Sequence, residues 1–432
     1  MTPSLSRCRG TCAIPSGLVA QGRLRLPPSK SITQRLLNLS LLARQPITVE
    51  RPLLAEDTRL FLTALGAIGF EVVESADDVR FRPTSFAGGR TIDCGNNGTM
   101  LRFLVASLST LPGQWVLDGS DRLRKRTVGP LVTALRALGV KIDYLGEEGY
   151  APLEIEGATL GSGYVDLDAR LSSQFASALL MAATRAEGEI VIRLKALTSA
   201  PYLELTCDTL EAFGAECERL APAVYRVAPH TLSGGRFAVE GDFSAAAYPA
   251  AAALLTGGRV HLQGVRKGSK QGDRRFLDVL EKMGALVEWQ KDGVAIQGTG
   301  RLAAVDVDFG EMPDQVPTLA ALAPFATGTT WIRNVAHLRI KESDRLAAMA
   351  TELRKLGAEV DEMPDGLEVH GSWSGRPVPA GEVKVDTYGD HRVAMSLAIC
   401  GLRRAGVIVN EPEVVAKSYP SFWRDLEGLL RG

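Results

Sequence analysis

The chain has 432 residues, 45% of them hydrophobic and 23% charged, with a formal net charge of −1 at pH 7. That length and apolar content suffice for two or three domains with their own cores, and the near-neutral charge argues against a nucleic-acid-binding protein, which carries a basic surplus. No apolar run reaches membrane-span length, and the six cysteines show neither CxxC nor a His at metal spacing; a cytoplasmic protein without disulfides, bound metal, cofactor or membrane contact is expected.

Met1 to Gln21 carries basic residues but no apolar core, so no signal peptide is expected there. Cys8 and Cys12 fall in this stretch, which reads as a poorly ordered tail. Pro28-Ser-Lys-Ser-Ile-Thr-Gln-Arg35 then opens an apolar helix, with Ser29 and Ser31 as caps or donors and Lys30 and Arg35 near its positive end. Gly95-Asn-Asn-Gly-Thr99 is a glycine-rich turn ahead of Arg102 that can present backbone N–H groups to an anion. It matches neither GxxxxGK[ST] nor GxGxxG, so no nucleotide fingerprint is indicated. Arg122, Arg124, Lys125 and Arg126 form a basic loop, which a solvated face would also produce.

Ser172, Ser173 and Gln174 put three hydrogen-bonding side chains at one helix start, where capping accounts for one. Ser199 and Tyr202 flank Pro201, which suits a first helical turn. Asp314, taken alone, reads as the N-cap of a buried helix. In Leu338-Arg-Ile-Lys-Glu-Ser-Asp-Arg-Leu346 a helix is expected to start near Ser343, because Leu346, Met349, Ala350, Leu353 and Leu356 keep helical spacing. Lys341 and Arg345 sit at that positive end beside Glu342. An external anion would explain them; so would a solvated start with a local Arg–Asp pair. Asp390-His-Arg392 repeats the arrangement, and Lys417 follows near the end.

The chain also repeats itself. Amphipathic helical segments close on Gly69, Gly139, Gly214, Gly284 and Gly357, roughly every 70 residues, each followed by a short alternating strand. A second set, apolar nearly all round, opens at Ser29, Gly98, Ser172, Asp242, Pro313 and Asp390 and should be buried on most sides. Phe422 to Leu430 reads as a truncated last copy. The expected fold is α/β, in two lobes of three repeated modules, six in all. Residues 29–240 would form one lobe and 1–28 with 241–432 the other, hinged near 27–28 and 240–241. Cations recur at several helix starts in distant modules, where the dipole disfavours them. A shared site lined by Lys30, Arg126, Lys341, Arg345, Arg392 and Lys417 would be strongly electropositive and would suit ligands bearing phosphate and carboxylate.

Pro28-Ser-Lys-Ser31 with Arg35, Gly95-Asn96 with Gly98-Thr99, Arg339-Ile-Lys-Glu-Ser-Asp-Arg345, Asp390-His-Arg392 and Ala416-Lys417 occur in this order from about Leu18 to Leu430. In these motifs the chain closely resembles the enolpyruvyl transferase family, in its shikimate branch; RxKExDR is the most specific of them. The resemblance implies helix N-termini facing an interlobe cleft and a monomer with no cofactor. It implies transfer of the enolpyruvyl group of phosphoenolpyruvate to the 5-hydroxyl of shikimate 3-phosphate, with release of phosphate. By the same likeness Lys30, Ser31, Arg35, Ser172, Ser173, Gln174, Ser199, Tyr202, Asp314, His337 and Lys341 would hold shikimate 3-phosphate. Lys30, Gly98, Arg126, Gln174, Arg345, Arg392 and Lys417 would meet phosphoenolpyruvate. Asp314 would take the hydroxyl proton, Glu342 would protonate the methylene carbon and later remove a proton, with Lys30 coupled to it, and His391 joins the catalytic set.

The chain departs from its family at Asn97 (usually Ala or Ser), Met100 (usually small), Phe103 (often Pro) and His337 (often Asn). The last would make phosphate binding pH-dependent. The branch acting on UDP-N-acetylglucosamine usually has a Cys in the basic loop, and Arg122 to Gly129 has none. A noncatalytic binder of phosphorylated metabolites gains little from carboxylates such as Asp314 and Glu342 in an anion pocket. Serine hydrolysis lacks its GxSxG elbow.

Overall fold

The structure is a computed structural model describing Leu5, residues 8–86 and residues 88–432. Part of the Met1 to Gln21 stretch therefore lies outside the described residues. The chain is mixed α/β and divides into two units: a middle unit, Pro28–Val239, and a terminal unit, Met1–Pro27 with Glu240–Gly432. Each has its own hydrophobic core.

The middle unit carries three four-stranded sheets with one recurring pattern. Gly235–Ala238 lies parallel to Ile47–Glu50, which continues antiparallel through Asp78–Pro83 to Phe70–Glu74. Arg90–Asp93 and Gly113–Asp118, then Gly163–Ala169 and Ile190–Leu197, are the parallel pairs of the other two sheets. Helices Lys30–Ala43, Gly98–Leu108 and Gln174–Ala183 fill the core and are buried along most of their length. In the terminal unit Gly22–Arg25 runs parallel to Arg259–Gln263, and Asp306–Asp308 runs parallel to Thr329–Arg333. Its core helices are Phe243–Thr256, Val316–Leu322 and His391–Gly401.

The punctuation read from sequence has its local physical causes. Ser29 and Asp242 cap their helices by accepting from Ile32 N and from Ser244 N and Ala245 N. The five closing glycines all have positive φ, between 87° and 129°, a region a Cβ makes costly. Helix Arg345–Lys355 buries Leu346, Met349 and Leu353 completely, at about 1.5–3 kcal/mol for each such side chain. Its cap is Asp344, accepting from Ala347 N at 3.1 Å, and not Ser343. Ser343 lies one residue too early, and its hydroxyl donates to Asp390 instead.

Two expectations about cysteine are corrected. Thr11–Ala13 pairs antiparallel with Val407–Asn410, so Cys12 is fully buried in a sheet and not in a loose tail. Cys8 pairs with Cys12 and Cys207 with Cys217 as disulfides, with Cα separations of 5.0 and 5.1 Å. Sequence spacing did not show the second pair, because it is the packing of helix Pro201–Ala212 against strand Cys217–Ala221 that brings its sulfurs together. Cys94 and Cys400 are buried thiols, and burial raises the proton affinity of both.

Candidate active site

In the middle unit, candidate residues gather at the starts of the three core helices. Lys30, the first residue of its helix, places Nζ 3.2 Å from Asp57 Oδ2, with both side chains largely buried. Asn97 caps the next helix, its Oδ1 accepting from Met100 N at 3.0 Å while its Nδ2 donates to the Asp57 carbonyl at 2.9 Å. The unusual Asn97 thus ties the glycine-rich turn to the residue that holds Lys30. Asp57 went unnoticed in the sequence, and no spacing rule would have found it: the pairing spans 27 residues and depends on helix packing.

Gly98 is required by a neighbour. A Cβ there would stand 2.6 Å from Arg126 Cζ, so only glycine lets the guanidinium lie against the turn. Arg126 is 5% exposed, whereas Arg124, from the same loop, is an exposed partner of Asp118. Gln174 accepts from Arg102 Nη1 at 2.6 Å and donates to Thr99 Oγ1 at 2.8 Å, linking the second and third helix starts. Ser172 and Ser173 are buried beside it, and Ser172 Oγ accepts from Gln174 N.

Arg35 is 2% exposed and turned toward protein groups: it donates to Ser31 O, Thr206 Oγ1 and Tyr202 O at 2.9–3.0 Å. Burial lowers its pKa to about 10. Ser199 sits beside this group with φ 57°, a conformation few non-glycine residues adopt.

The terminal unit holds a denser cluster. Arg345 is 1% exposed and reaches three carboxylates: Nε to Asp390 at 2.8 Å, Nη1 to Asp314 at 2.8 Å and Nη2 to Glu342 at 2.9 Å. Arg392 Nη2 donates to the other oxygen of Asp314 at 2.6 Å. Asp390 also accepts from Arg392 N as the cap of helix His391–Gly401, and so joins Arg345 to that helix start. A solvated helix start is excluded by the burial of Arg345.

Asp314 is not an N-cap; its turn, Pro313–Gln315, has no side-chain cap, and the carboxylate faces the guanidinium groups. Burial alone would raise its proton affinity, but Arg392, Arg345 and Lys341 outweigh burial and hold it well below the usual carboxylate range. Burial, with the charge of Lys341, pushes His337 down to about 4. Asp314, Glu342 and Asp390 pair with Arg345 and Arg392 and so offset part of the positive charge gathered in this unit. His391 is 1% exposed, with Nδ1 3.9 Å from Asp390, and Lys417 ends the turn Pro412–Lys417 and is also buried. Among the described residues no group of His, Cys, Asp or Glu is arranged to hold a metal ion, and no helix is long and apolar enough to cross a membrane.

A family model described as EPSP synthase (3-phosphoshikimate 1-carboxyvinyltransferase) matches residues 17–426. The 3-phosphoshikimate 1-carboxyvinyltransferase of Syntrophobacter fumaroxidans is 45% identical over 419 residues, covering 96% of this chain and 98% of that protein. Its counterpart in Methanoculleus marisnigri is 42% identical over 412 residues, covering 94% and 96%. Among solved structures, EPSP synthase from Acinetobacter baumannii superposes with a TM-score of 0.81 at 27% identity, covering 97% of this chain and 98% of that one. With the guanidinium–carboxylate cluster and the glycine turn on one chain, and likeness along its whole length, the chain belongs to the EPSP synthase (3-phosphoshikimate 1-carboxyvinyltransferase) family.

Proposed function

We propose that the two clusters carry out one reaction. The chain is a carboxyvinyl transferase: it moves the enolpyruvyl group of phosphoenolpyruvate to the 5-hydroxyl of shikimate 3-phosphate and releases phosphate, a step of the shikimate pathway. The observation that carries this is the pair of carboxylates, Asp314 and Glu342, held by one buried guanidinium. Addition to the enol carbon of phosphoenolpyruvate needs a base for the hydroxyl proton, an acid for the methylene carbon and fixed positive charge for the phosphate-bearing intermediate, and its collapse needs a base to take one methyl proton as phosphate leaves. Asp314 serves as the base for the hydroxyl proton; Glu342, with Lys30 coupled to it and His391 in support, protonates the methylene carbon and then takes a proton back from the methyl group as phosphate leaves.

In this reading Lys30, Ser31, Arg35, Ser172, Ser173, Gln174, Ser199, Tyr202, His337 and Lys341 hold shikimate 3-phosphate. Lys30, Gly98, Arg126, Gln174, Arg345, Arg392 and Lys417 take phosphoenolpyruvate. Arg345 and Arg392 share their donors with Asp314. An arriving substrate carboxylate or phosphate would draw those donors away and free Asp314 to accept a proton. Six copies of one α/β unit, three per lobe, closing as a monomer on the ligands from a hinge near 27–28 and 240–241, complete the reading, with the cytoplasm as its place.

Phosphate release from phosphoenolpyruvate, measured with shikimate 3-phosphate and in parallel with UDP-N-acetylglucosamine, tests the substrate class. Release is expected only with the first acceptor. Release only with the second places the chain in the sister branch, and silence in both with calorimetric binding intact means a binder. Near-native turnover by Glu342→Gln would remove the acid role.

A further inference from the structure

Asp273 is a buried ionisable group with no part in the reaction described above. It is 4% exposed, on the short turn Gly272–Arg275, and two other elements hold it. Ser244 Oγ, from the first turn of helix Phe243–Thr256, donates to its Oδ2. Gln315 Nε2, from the residue that follows Asp314, donates to the same oxygen at 3.0 Å. Oδ1 accepts no hydrogen bond from the described residues. A carboxylate buried with half its acceptors unmet is costly to keep, and the Gln315 bond ties this one to the turn that carries Asp314.

We propose that Asp273 is a positioning residue for Asp314: a fixed second carboxylate, anchored through Ser244 and Gln315, that strengthens Asp314 as the acceptor of the substrate hydroxyl proton. This rests on the reading of Asp314 as the base. Asp314 and Arg392 are the charged groups acting on Asp273, and Ser244 and Gln315 its neutral partners. Burial and the charge of Asp314 push its pKa up to about 6. Arg345 and Arg392 make Asp314 a weak base. A neighbouring negative charge offsets them, since a like charge disfavours a second ionised carboxylate. Above pH 6 that charge is present; as the pH falls through 6 it is neutralised and the help is lost.

The test is the pH profile of kcat for phosphate release from phosphoenolpyruvate and shikimate 3-phosphate, between pH 5 and 8. Asp273→Asn should lower kcat about tenfold at pH 8 and converge on the wild-type value at pH 5, so that the wild-type step near pH 6 disappears. Ser244→Ala keeps the carboxylate but deletes a donor, and should move that step to higher pH; it remains informative should Asp273→Asn fail to fold. An Asp273→Asn profile parallel to wild type, or a step unmoved in Ser244→Ala, overturns the proposal. Asp314→Asn separates the two ideas: turnover retained there overturns the base reading itself, whereas turnover lost there beside an unmoved step overturns only the role of Asp273.

Discussion

Arg345→Lys keeps the charge of the terminal-unit cluster and removes its geometry. The guanidinium reaches Asp390, Asp314 and Glu342 with three separate nitrogens at 2.8–2.9 Å. A lysine ammonium is one point on a flexible stem and cannot span three carboxylates that the fork separates. At most one of the three contacts survives in good geometry. Hydrogen bonds to charged groups contribute about 1.5–3 kcal/mol each, and breaking a buried ion pair costs about 3–5 kcal/mol. The two estimates agree on a loss of about 3–5 kcal/mol, which for a unit of this size lowers Tm by roughly 6–20 °C. Trp289, Trp331, Trp373 and Trp423 lie in the terminal unit and Trp115 alone in the other, so tryptophan emission during urea or thermal unfolding reports mainly on the unit that is perturbed. Turnover should fall on the order of a hundredfold, as when a preorganised donor is removed. An unfolding midpoint within error of wild type, together with unchanged turnover, would refute the claim that the fork organises the cluster.

Two further outcomes follow from the geometry. Gly98→Ala puts a carbon 2.6 Å from Arg126 Cζ, so the guanidinium must withdraw; KM for phosphoenolpyruvate should rise about tenfold with kcat less affected, and an unchanged KM would show that Arg126 is not held by this contact. The pH dependence of stability should carry a contribution from His337, whose folded pKa of about 4 lies below its ordinary 6.5. Between those values the unfolded chain binds a proton there and the folded chain does not, so stability is lost as the pH falls from 6.5 towards 4. About 2 kcal/mol of that loss should be complete by pH 5. Urea midpoints at pH 7 and pH 5 should therefore differ less in His337→Asn than in wild type, and equal differences would show that His337 is not held neutral.

Much of this protein is legible one residue at a time. Ser29, Asp242 and Asp390 could be placed at helix starts because a cap bonds to an N–H two or three residues ahead. The closing glycines could be read as turns because a positive φ is a property of one residue's backbone. The order of the Pro28–Arg35, Gly95–Thr99, Arg339–Arg345 and Asp390–Arg392 motifs was sufficient to indicate the family. Tertiary structure alone decided which charges meet. Asp314 reads locally as a cap, yet its partners lie 31 and 78 residues away. Lys30 answers to Asp57, Asp273 is brought to Gln315 across 42 residues, and Cys207 meets Cys217 through helix-on-strand packing. Capping and turn geometry depend on neighbours along the chain, whereas the pairing and proton affinity of a buried charge depend on whichever groups the packed core brings against it.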